Sequence, residues 1–410
     1  MPGQLPTAKM PDQTFDCLAS AMAEAYAIPE ASGSNLSNRR MILQNDFKRQ
    51  WEFVEGPALE AVRRVGESGW YILGKEVEAF EASLAEFWRV SHVIGTGNGL
   101  DALEIALRCL DLQRGEKVLT TPLSAFATTL AIVRAGGVPV FVDVDDSGCI
   151  DLRQCREVLA QDRSIRFLVP VHLYGFALPM PELARLKTDF GLQIVEDCAQ
   201  CIGASFGNIA AGTVGQMAAT SFYPTKNLGA MGDAGALLTN DAALAEKARN
   251  LRNYGQSSHY LHSTPGLNSR LDELHAAVLR DAFLPNLEQW TKARRRTAHK
   301  YLEQIRNPSI QLLSPDPAMK AVWHLFPILA AEGSRDQLRS YLDSCGITTG
   351  VHYPRLICEQ PALRDGSWEK RLELGKARRF AECELSLTIH PFLTETEVDA
   401  VIAACNDWKI

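Results

Sequence analysis

The chain has 410 residues, 46% of them hydrophobic and 22% charged, with a net charge of -7. That length exceeds one typical domain and can bury a large core, and the acidic balance excludes a general electrostatic attraction to nucleic acid or to an anionic membrane. The ten cysteines are scattered and read as reduced thiols of a cytoplasmic protein, not as a disulfide framework.

Residues 1–40 lack the basic cluster and long apolar run of a secretory leader. Within them, 15–28 has the spacing of one amphipathic helix through Phe15, Leu18, Met22 and Tyr26, and the run Pro29-Glu-Ala-Ser-Gly-Ser-Asn35 is linker-like. We expect 1–40 to be a poorly ordered extension. From Met41 the pattern alternates helix and strand as in a doubly wound α/β domain. Strands are predicted at 93–96, 117–120, 139–144, 167–171, 193–196 and 236–239, mostly as continuous apolar runs suited to a sheet covered on both faces. Helices are predicted between them, including 77–87 and 181–190. The large domain is expected to span 41–288. A smaller α+β domain is expected over 289–410, entered by a charged helical stretch through Arg294, Arg295 and Arg296. It continues in a strand-like run at 323–330 and a last strand at 388–394, and it closes with a helix announced by a capping-box pattern, Thr394 with Glu397.

Three segments carry chemistry. In Val93-Ile-Gly-Thr-Gly-Asn-Gly-Leu100 the glycines stand before a helix whose apolar positions are Leu100, Leu103, Leu107 and Leu110. Free N–H groups at such a helix start hold an anion without a basic side chain, although any strand-to-helix turn looks similar. Gln193-Ile-Val-Glu-Asp-Cys-Ala-Gln200 reads as a buried strand ending on acids. In the segment from Ser221 to Asp241, Lys226 stands between a β-type run and a turn containing Gly229, Gly232 and Gly235. Such a lysine is either a solvated loop residue or an activated amine able to form a Schiff base. Paired with Asp197 at a strand end, it fits pyridoxal phosphate, which needs a lysine for covalent attachment and a carboxylate to keep its ring nitrogen protonated. Cys198 and Cys201 form one C-x-x-C without a second pair at zinc spacing, so no metal site is expected.

In this order the three segments resemble the DegT/StrS family of fold type I pyridoxal phosphate aminotransferases, which act on nucleotide-linked keto sugars. The resemblance runs from about Met41 to the end and includes Pro122-Leu-Ser-Ala-Phe-Ala-Thr-Thr, Val171-His-Leu-Tyr-Gly, Asn268-Ser-Arg-Leu-Asp and Gly350-Val-His-Tyr-Pro. It implies a large mixed, mostly parallel sheet covered by helices, with a smaller C-terminal α+β domain. It implies that Lys226 is the catalytic lysine and that Asp197 pairs with the ring nitrogen. Gln200 would stand near the phenolic oxygen, and Phe126 against the ring face. Gly99 and Leu100 would give backbone N–H groups, and Ser221 its hydroxyl, to the phosphate. Asn268 would reach the phosphate of the neighbouring subunit, which implies a homodimer with shared sites. Leu100 stands where many relatives have Thr, so only its backbone contact carries over, and Cys198 stands where they have Ala.

The implied reaction is a ping-pong transfer from L-glutamate to the ketone. The run Leu251-Arg-Asn-Tyr-Gly-Gln and the form Asn268-Ser-Arg-Leu-Asp resemble family members that act on dTDP-linked 3-keto-6-deoxyhexoses more than those that act on the 4-keto group. A 4-keto sugar or cyclitol ketone, and a non-catalytic regulatory relative, remain as alternatives. His172, Tyr174, His324, His352 and Tyr353 are candidate sugar or diphosphate contacts as well as candidate structural residues, and Lys48, Arg49 and Arg270 are candidate cations for the nucleotide.

Overall fold

The apolar runs of the sequence become the strands of an eight-stranded sheet. The computed structural model describes residues 41–364 and 368–410, so the expectations for 1–40 fall outside the described residues. Its strands are β1 (His92–Thr96), β2 (Lys117–Thr120), β3 (Val138–Phe141), β4 (Phe167–Val169) and β5 (Gln193–Asp197), each close to its predicted place. A short hairpin, β6 (Ser205–Phe206) and β7 (Ile209–Ala210), precedes β8 (Met217–Ser221) and β9 (Gly235–Thr239). The sheet runs β1-β9-β8-β5-β4-β2-β3, with Glu369–Lys370 on the β3 edge. Pairing is parallel from β8 to that edge, and β9 alone runs against both its neighbours. This is the mixed, mostly parallel α/β sheet the sequence implied. Parallel neighbours require crossovers that cover both faces, and β4 and β9 are accordingly buried throughout.

The covering helices include α1 (Phe47–Ser68), α2 (Lys75–Trp88), α3 (Gly99–Cys109) and α4 (Phe126–Arg134). On α1, Val54, Ala58, Ala61 and Val65 recur at helical spacing and are buried together. On α2 the stripe is Val77, Phe80, Leu84 and Trp88. The residue before α2 is Gly74, which offers no capping side chain. Glu273, distant in sequence, takes over. Its carboxylate accepts N–H groups from Gly74, Glu76 and Val77 at 2.8, 2.9 and 3.0 Å, satisfying donors that the helix itself cannot. A Cβ at position 74 would come 2.4 Å from the Trp70 ring and 2.7 Å from that carboxylate.

Beyond helix Leu287–Gln304 lies a three-stranded antiparallel sheet of Ile310–Leu312, Phe326–Ala330 and Glu384–Leu387. Two expectations are corrected. The strand predicted from 323 begins only at Phe326, because Trp323 takes a left-handed φ of 49°. The last strand is Glu384–Leu387 rather than 388–394, which instead leads into the final helix through Pro391, a residue with no N–H for a ladder. The capping box is present: Thr394 Oγ1 accepts the Glu397 N–H, and Glu397 accepts the Thr394 N–H. Arg294, in a stretch that reads as a charged surface, points inward. Its Nη1 donates to the carbonyls of Trp323, His324 and Ile389, and burial lowers its pKa to about 10.

Candidate active site

β1, β2, β4, β5 and β8 run in one direction, so the segments leaving their carboxyl ends meet along one edge of the sheet, where ligands of α/β folds bind. Gly99 follows β1, Phe126 follows β2, His172 and Tyr174 follow β4, Asp197 closes β5, and Lys226 follows β8. Residues far apart in the sequence thereby become neighbours.

Lys226 is fixed by its backbone. Its N–H donates to the Tyr223 carbonyl at 2.8 Å and the chain returns through Ala230 N–H to Phe222 at 2.7 Å. Among the described residues its amine has no hydrogen-bond partner. Burial pushes that amine down to about 8, against the opposing pull of the Asp197 charge. Asp197 is 4% exposed. Its Oδ2 accepts from Thr128 Oγ1 at 2.8 Å and its Oδ1 from Ala199 N–H at 3.1 Å. Burial raises its pKa in spite of those bonds, and no basic side chain among the described residues forms an ion pair with it.

At the start of α3, the Asn98 side chain accepts the Asp101 N–H at 2.8 Å, while the N–H groups of Gly99 and Leu100 have no protein acceptor among the described residues. A Cβ on Gly99 would come 2.7 Å from that of Ser221, so glycine brings this helix start against the end of β8. Phe126 is half-buried at the start of α4 and packs on the cluster of Phe141, Ile357 and Leu363.

A hydrogen-bonded ring joins the remaining groups. Gln200 accepts the Tyr174 N–H at 2.7 Å and donates to Tyr353 Oη at 3.2 Å, and Tyr174 Oη donates to the His352 carbonyl at 2.6 Å. Burial raises the pKa of both phenols, so both stay protonated. His324 Nδ1 meets Asn227 Oδ1 at 3.2 Å, and burial, with the nearby Lys226 charge, drives its pKa well below the usual histidine range. His352 is lowered to about 4 by the same two causes.

Three candidates take structural places instead. His172 is fully enclosed: Nε2 meets Glu196 Oε2 at 2.8 Å, and Nδ1 accepts the Leu178 N–H at 3.1 Å, so neither nitrogen is left for a sugar. Tyr174 is equally enclosed and acts through its bonds to Gln200 and His352. Arg49 is spent on Glu397, at 2.7 and 2.5 Å, and on the Phe392 carbonyl at 2.8 Å. Asn268 is exposed on its own chain and stands outside the hydrogen-bonded cluster. His172, Glu196 and Cys198 place possible ligand atoms within 4.8 Å of one another. Glu196, however, also accepts N–H groups from Gly212, Val214 and Gly215 at 2.8, 2.8 and 2.6 Å, so this cluster is a hydrogen-bonded brace.

These groups fit pyridoxal phosphate. Asp197 is a buried carboxyl in want of a cation, which a protonated ring nitrogen supplies. Lys226 is an unpartnered amine with lowered pKa, and the junction of Gly99, Leu100 and Ser221 offers free donors at a helix start for a phosphate. Sequence reasoning missed Thr128, Asn227 and Arg294, which position these groups. Only the Thr-Thr pair behind Phe126 could have signalled the first. A cavity of about 660 Å³ between Phe87, Gly203, Asn208 and Lys320 includes none of these groups.

Residues 55–406 match the model of the DegT/DnrJ/EryC1/StrS aminotransferase family. The chain is 40% identical over 365 residues to dTDP-3-amino-3,4,6-trideoxy-alpha-D-glucose transaminase of Streptomyces venezuelae, covering 88% of this chain and 95% of that one. Among solved structures, S. venezuelae DesV in complex with a ketimine intermediate superimposes with a TM-score of 0.86 at 39% identity, covering 90% of this chain and 99% of that one. NtdA from Bacillus subtilis with bound cofactor PMP does so with a TM-score of 0.80 at 28% identity, covering 91% and 86%.

Proposed function

The chain belongs to the DegT/DnrJ/EryC1/StrS aminotransferase family, and on that premise we propose that it moves an amino group from L-glutamate to the ketone of a dTDP-linked 3-keto-6-deoxyhexose, in ping-pong order. It is a pyridoxal phosphate transaminase for a nucleotide-linked keto sugar. The donor, the nucleotide and the carbon aminated are the parts proposed, and the S. venezuelae relative, named for a dTDP-linked 3-amino sugar, supports the last two. The observation that carries the reading is the unpartnered, pKa-lowered amine of Lys226 on the same sheet edge as the buried Asp197.

When bound, pyridoxal phosphate supplies an aldehyde that captures amines and a ring that draws electron density from the donor's Cα. We assign the following work to this chain. Lys226 Nζ holds the cofactor, then removes the proton from the donor Cα and returns it at C4′. Asp197 keeps the ring nitrogen protonated, and Thr128 and the Ala199 N–H hold its carboxylate in place. Phe126 would cover one ring face, Gln200 would stand at the phenolic oxygen, and the N–H groups of Gly99 and Leu100 with the Ser221 hydroxyl would hold the phosphate. His324, His352 and Tyr353 face the sugar as neutral groups.

The enzyme works, in this reading, as a cytoplasmic homodimer in which Asn268 of the partner subunit completes the phosphate site. Supporting this, Trp70, Tyr71, Tyr254 and Tyr260 expose 62%, 53%, 45% and 83% of their surface, and a groove of about 590 Å³ between Trp70, Tyr254, Tyr260 and Arg270 opens there. Apolar surface of this kind marks an interface. Among the described residues no helix is long and apolar enough to cross a membrane. We place the boundary between the large and small domains at 288/289, supported by the separate three-stranded sheet that follows helix Leu287–Gln304.

The test is an absorption spectrum of the holoenzyme before and after excess L-glutamate without acceptor, followed by a panel of keto sugars. Conversion of the lysine-bound band to that of the aminated cofactor, reversed by a dTDP-linked 3-keto sugar alone, is expected. Reversal only by a 4-keto sugar or a cyclitol ketone would reject the proposed acceptor.

A further inference from the structure

Glu384 is the buried acid that the assignments above leave unused. It is fully enclosed on strand Glu384–Leu387, and its pKa is raised by burial to about 8. Its two oxygens have different partners. Oε2 accepts the backbone N–H of His352 at 2.6 Å, and Oε1 lies 2.5 Å from Ser386 Oγ. Ser386 Oγ in turn lies 2.9 Å from His352 Nδ1. The pairing of Gly350 with Ser386, through N–H to carbonyl bonds of 3.1 and 2.7 Å in the two directions, fixes that loop beside the strand. His352 Nε2 has no hydrogen-bond partner among the described residues, and its ring is close enough to Lys226 and His324 for charge to act among the three.

A carboxyl, a hydroxyl and an imidazole in line admit two arrangements. With Glu384 protonated, the carboxyl donates to Ser386, Ser386 donates to Nδ1, and the imidazole proton sits on Nε2. With Glu384 ionised, Ser386 donates to the carboxylate, Nδ1 carries the imidazole proton and donates to Ser386, and Nε2 is bare. Loss of one proton from Nε2 is therefore made good by shifts from Ser386 to Nδ1 and from Glu384 to Ser386. The imidazole stays neutral in both states, in keeping with its depressed pKa.

We propose that Glu384, Ser386 and His352 form a proton relay that delivers one proton, at His352 Nε2, to the oxygen leaving the sugar ketone. The proposal rests on the keto-sugar reading above. When nitrogen replaces that oxygen, the C–O bond breaks with its electron pair on oxygen, which departs as water. One of the two protons of that water comes from the attacking nitrogen and the other from an acid. Nothing is oxidised or reduced, and the relay is refilled from solvent before the next turnover. His352 is the group that meets the substrate, and Glu384 and Ser386 act through it. The ionisable groups facing Glu384 are Tyr174 from the segment after β4, His352 and Tyr353 from the 350–353 loop, and Arg335 at the start of helix Arg335–Ser344. Both phenols stay protonated, so Glu384 is the group that switches.

The test reads the imidazole directly, by nitrogen NMR of the ¹⁵N-histidine-labelled holoenzyme without substrate, with the His352 signal assigned by its loss in His352→Asn. The expected result is a proton on Nε2 below about 8 and on Nδ1 above it, with Glu384→Gln locked in the Nε2–H form because its amide donates to Ser386 at every pH. An unchanged tautomer across that range, or a switch that persists in Glu384→Gln, overturns the relay whatever the substrate proves to be. The second measurement compares single-turnover half-reactions. Ser386→Ala should slow the sugar half-reaction relative to the glutamate half-reaction by about 100-fold, the low end of what a positioned acid contributes. Equal slowing of both halves also overturns it. A relay seen by NMR together with a panel on which no keto sugar reacts would reject the acceptor reading instead.

Discussion

Burial lowers the pKa of the Lys226 amine, and that has a pH consequence. The folded chain holds its amine at about 8, below the ordinary lysine value of about 10.4, so the neutral nucleophile accumulates in mildly alkaline solution. The rate at which apoenzyme captures added pyridoxal phosphate, followed by absorbance, is expected to rise with pH and level off above about 8; a rise continuing into the ordinary lysine range would show an amine that is not desolvated. Lys226→Ala should bind the cofactor without the lysine-bound band and lose about 10,000-fold in transfer, as expected of a group that carries the proton. Thr128 is the complementary case. Its hydroxyl holds the Asp197 carboxylate at 2.8 Å, and a hydrogen bond to a charged group is worth about 1.5–3 kcal/mol. Thr128→Val should slow the glutamate half-reaction about 10-fold or more with little change in shape, and stopped-flow rates at the wild-type value would remove Thr128 from the site.

At the scale of elements, contacts distant in sequence do what local signals leave undone. The N-terminus of α2 is capped by Glu273, and α1 is tied to the last helix by the two-pronged pairing of Arg49 with Glu397. The bond from Arg49, more than burial opposes it, holds the Glu397 carboxyl down at about 2. The sign follows from proton binding: the unfolded chain takes up the proton first as pH falls, so the stabilisation is full above the unfolded carboxylate range of about 4.3 and is lost on the way down to the folded value. Glu397→Gln should therefore lower the thermal midpoint near neutrality, and the gap to wild type should narrow as acid is added below about pH 4. A gap independent of pH would show that the charge of Glu397 does not carry the stabilisation. The capping box itself was legible as Thr394 with Glu397, because the pattern is local. Arg49 was read as a cation for the nucleotide because nothing near it in the sequence announces Glu397.

For the whole molecule, the proposed sharing of active sites between subunits makes a prediction that no single chain can satisfy. If Asn268 serves the partner's phosphate site, mixing Lys226→Ala with Asn268→Ala chains creates dimers with one site containing both native residues. Subunit exchange between the two variants should restore activity that neither has alone, and a mixture no more active than the average of its parts would place Asn268 outside the neighbouring site. The sequence by itself determined the strand runs of the large sheet, the α/β class, and the Lys226 and Asp197 pair, because apolar periodicity, strand-end acids and glycine turns are properties of short windows, and the resemblance of its motifs gave the family. Only the tertiary structure decided which polar residues became working groups and which became braces. Thr128 was recruited by Asp197, Arg294 turned inward, His172 was enclosed by Glu196, and Glu384 was set behind Ser386 and His352. Each of those outcomes depends on a partner from another strand end or loop. The desolvation that shifts a pKa comes from the surrounding packing, which a linear pattern does not contain.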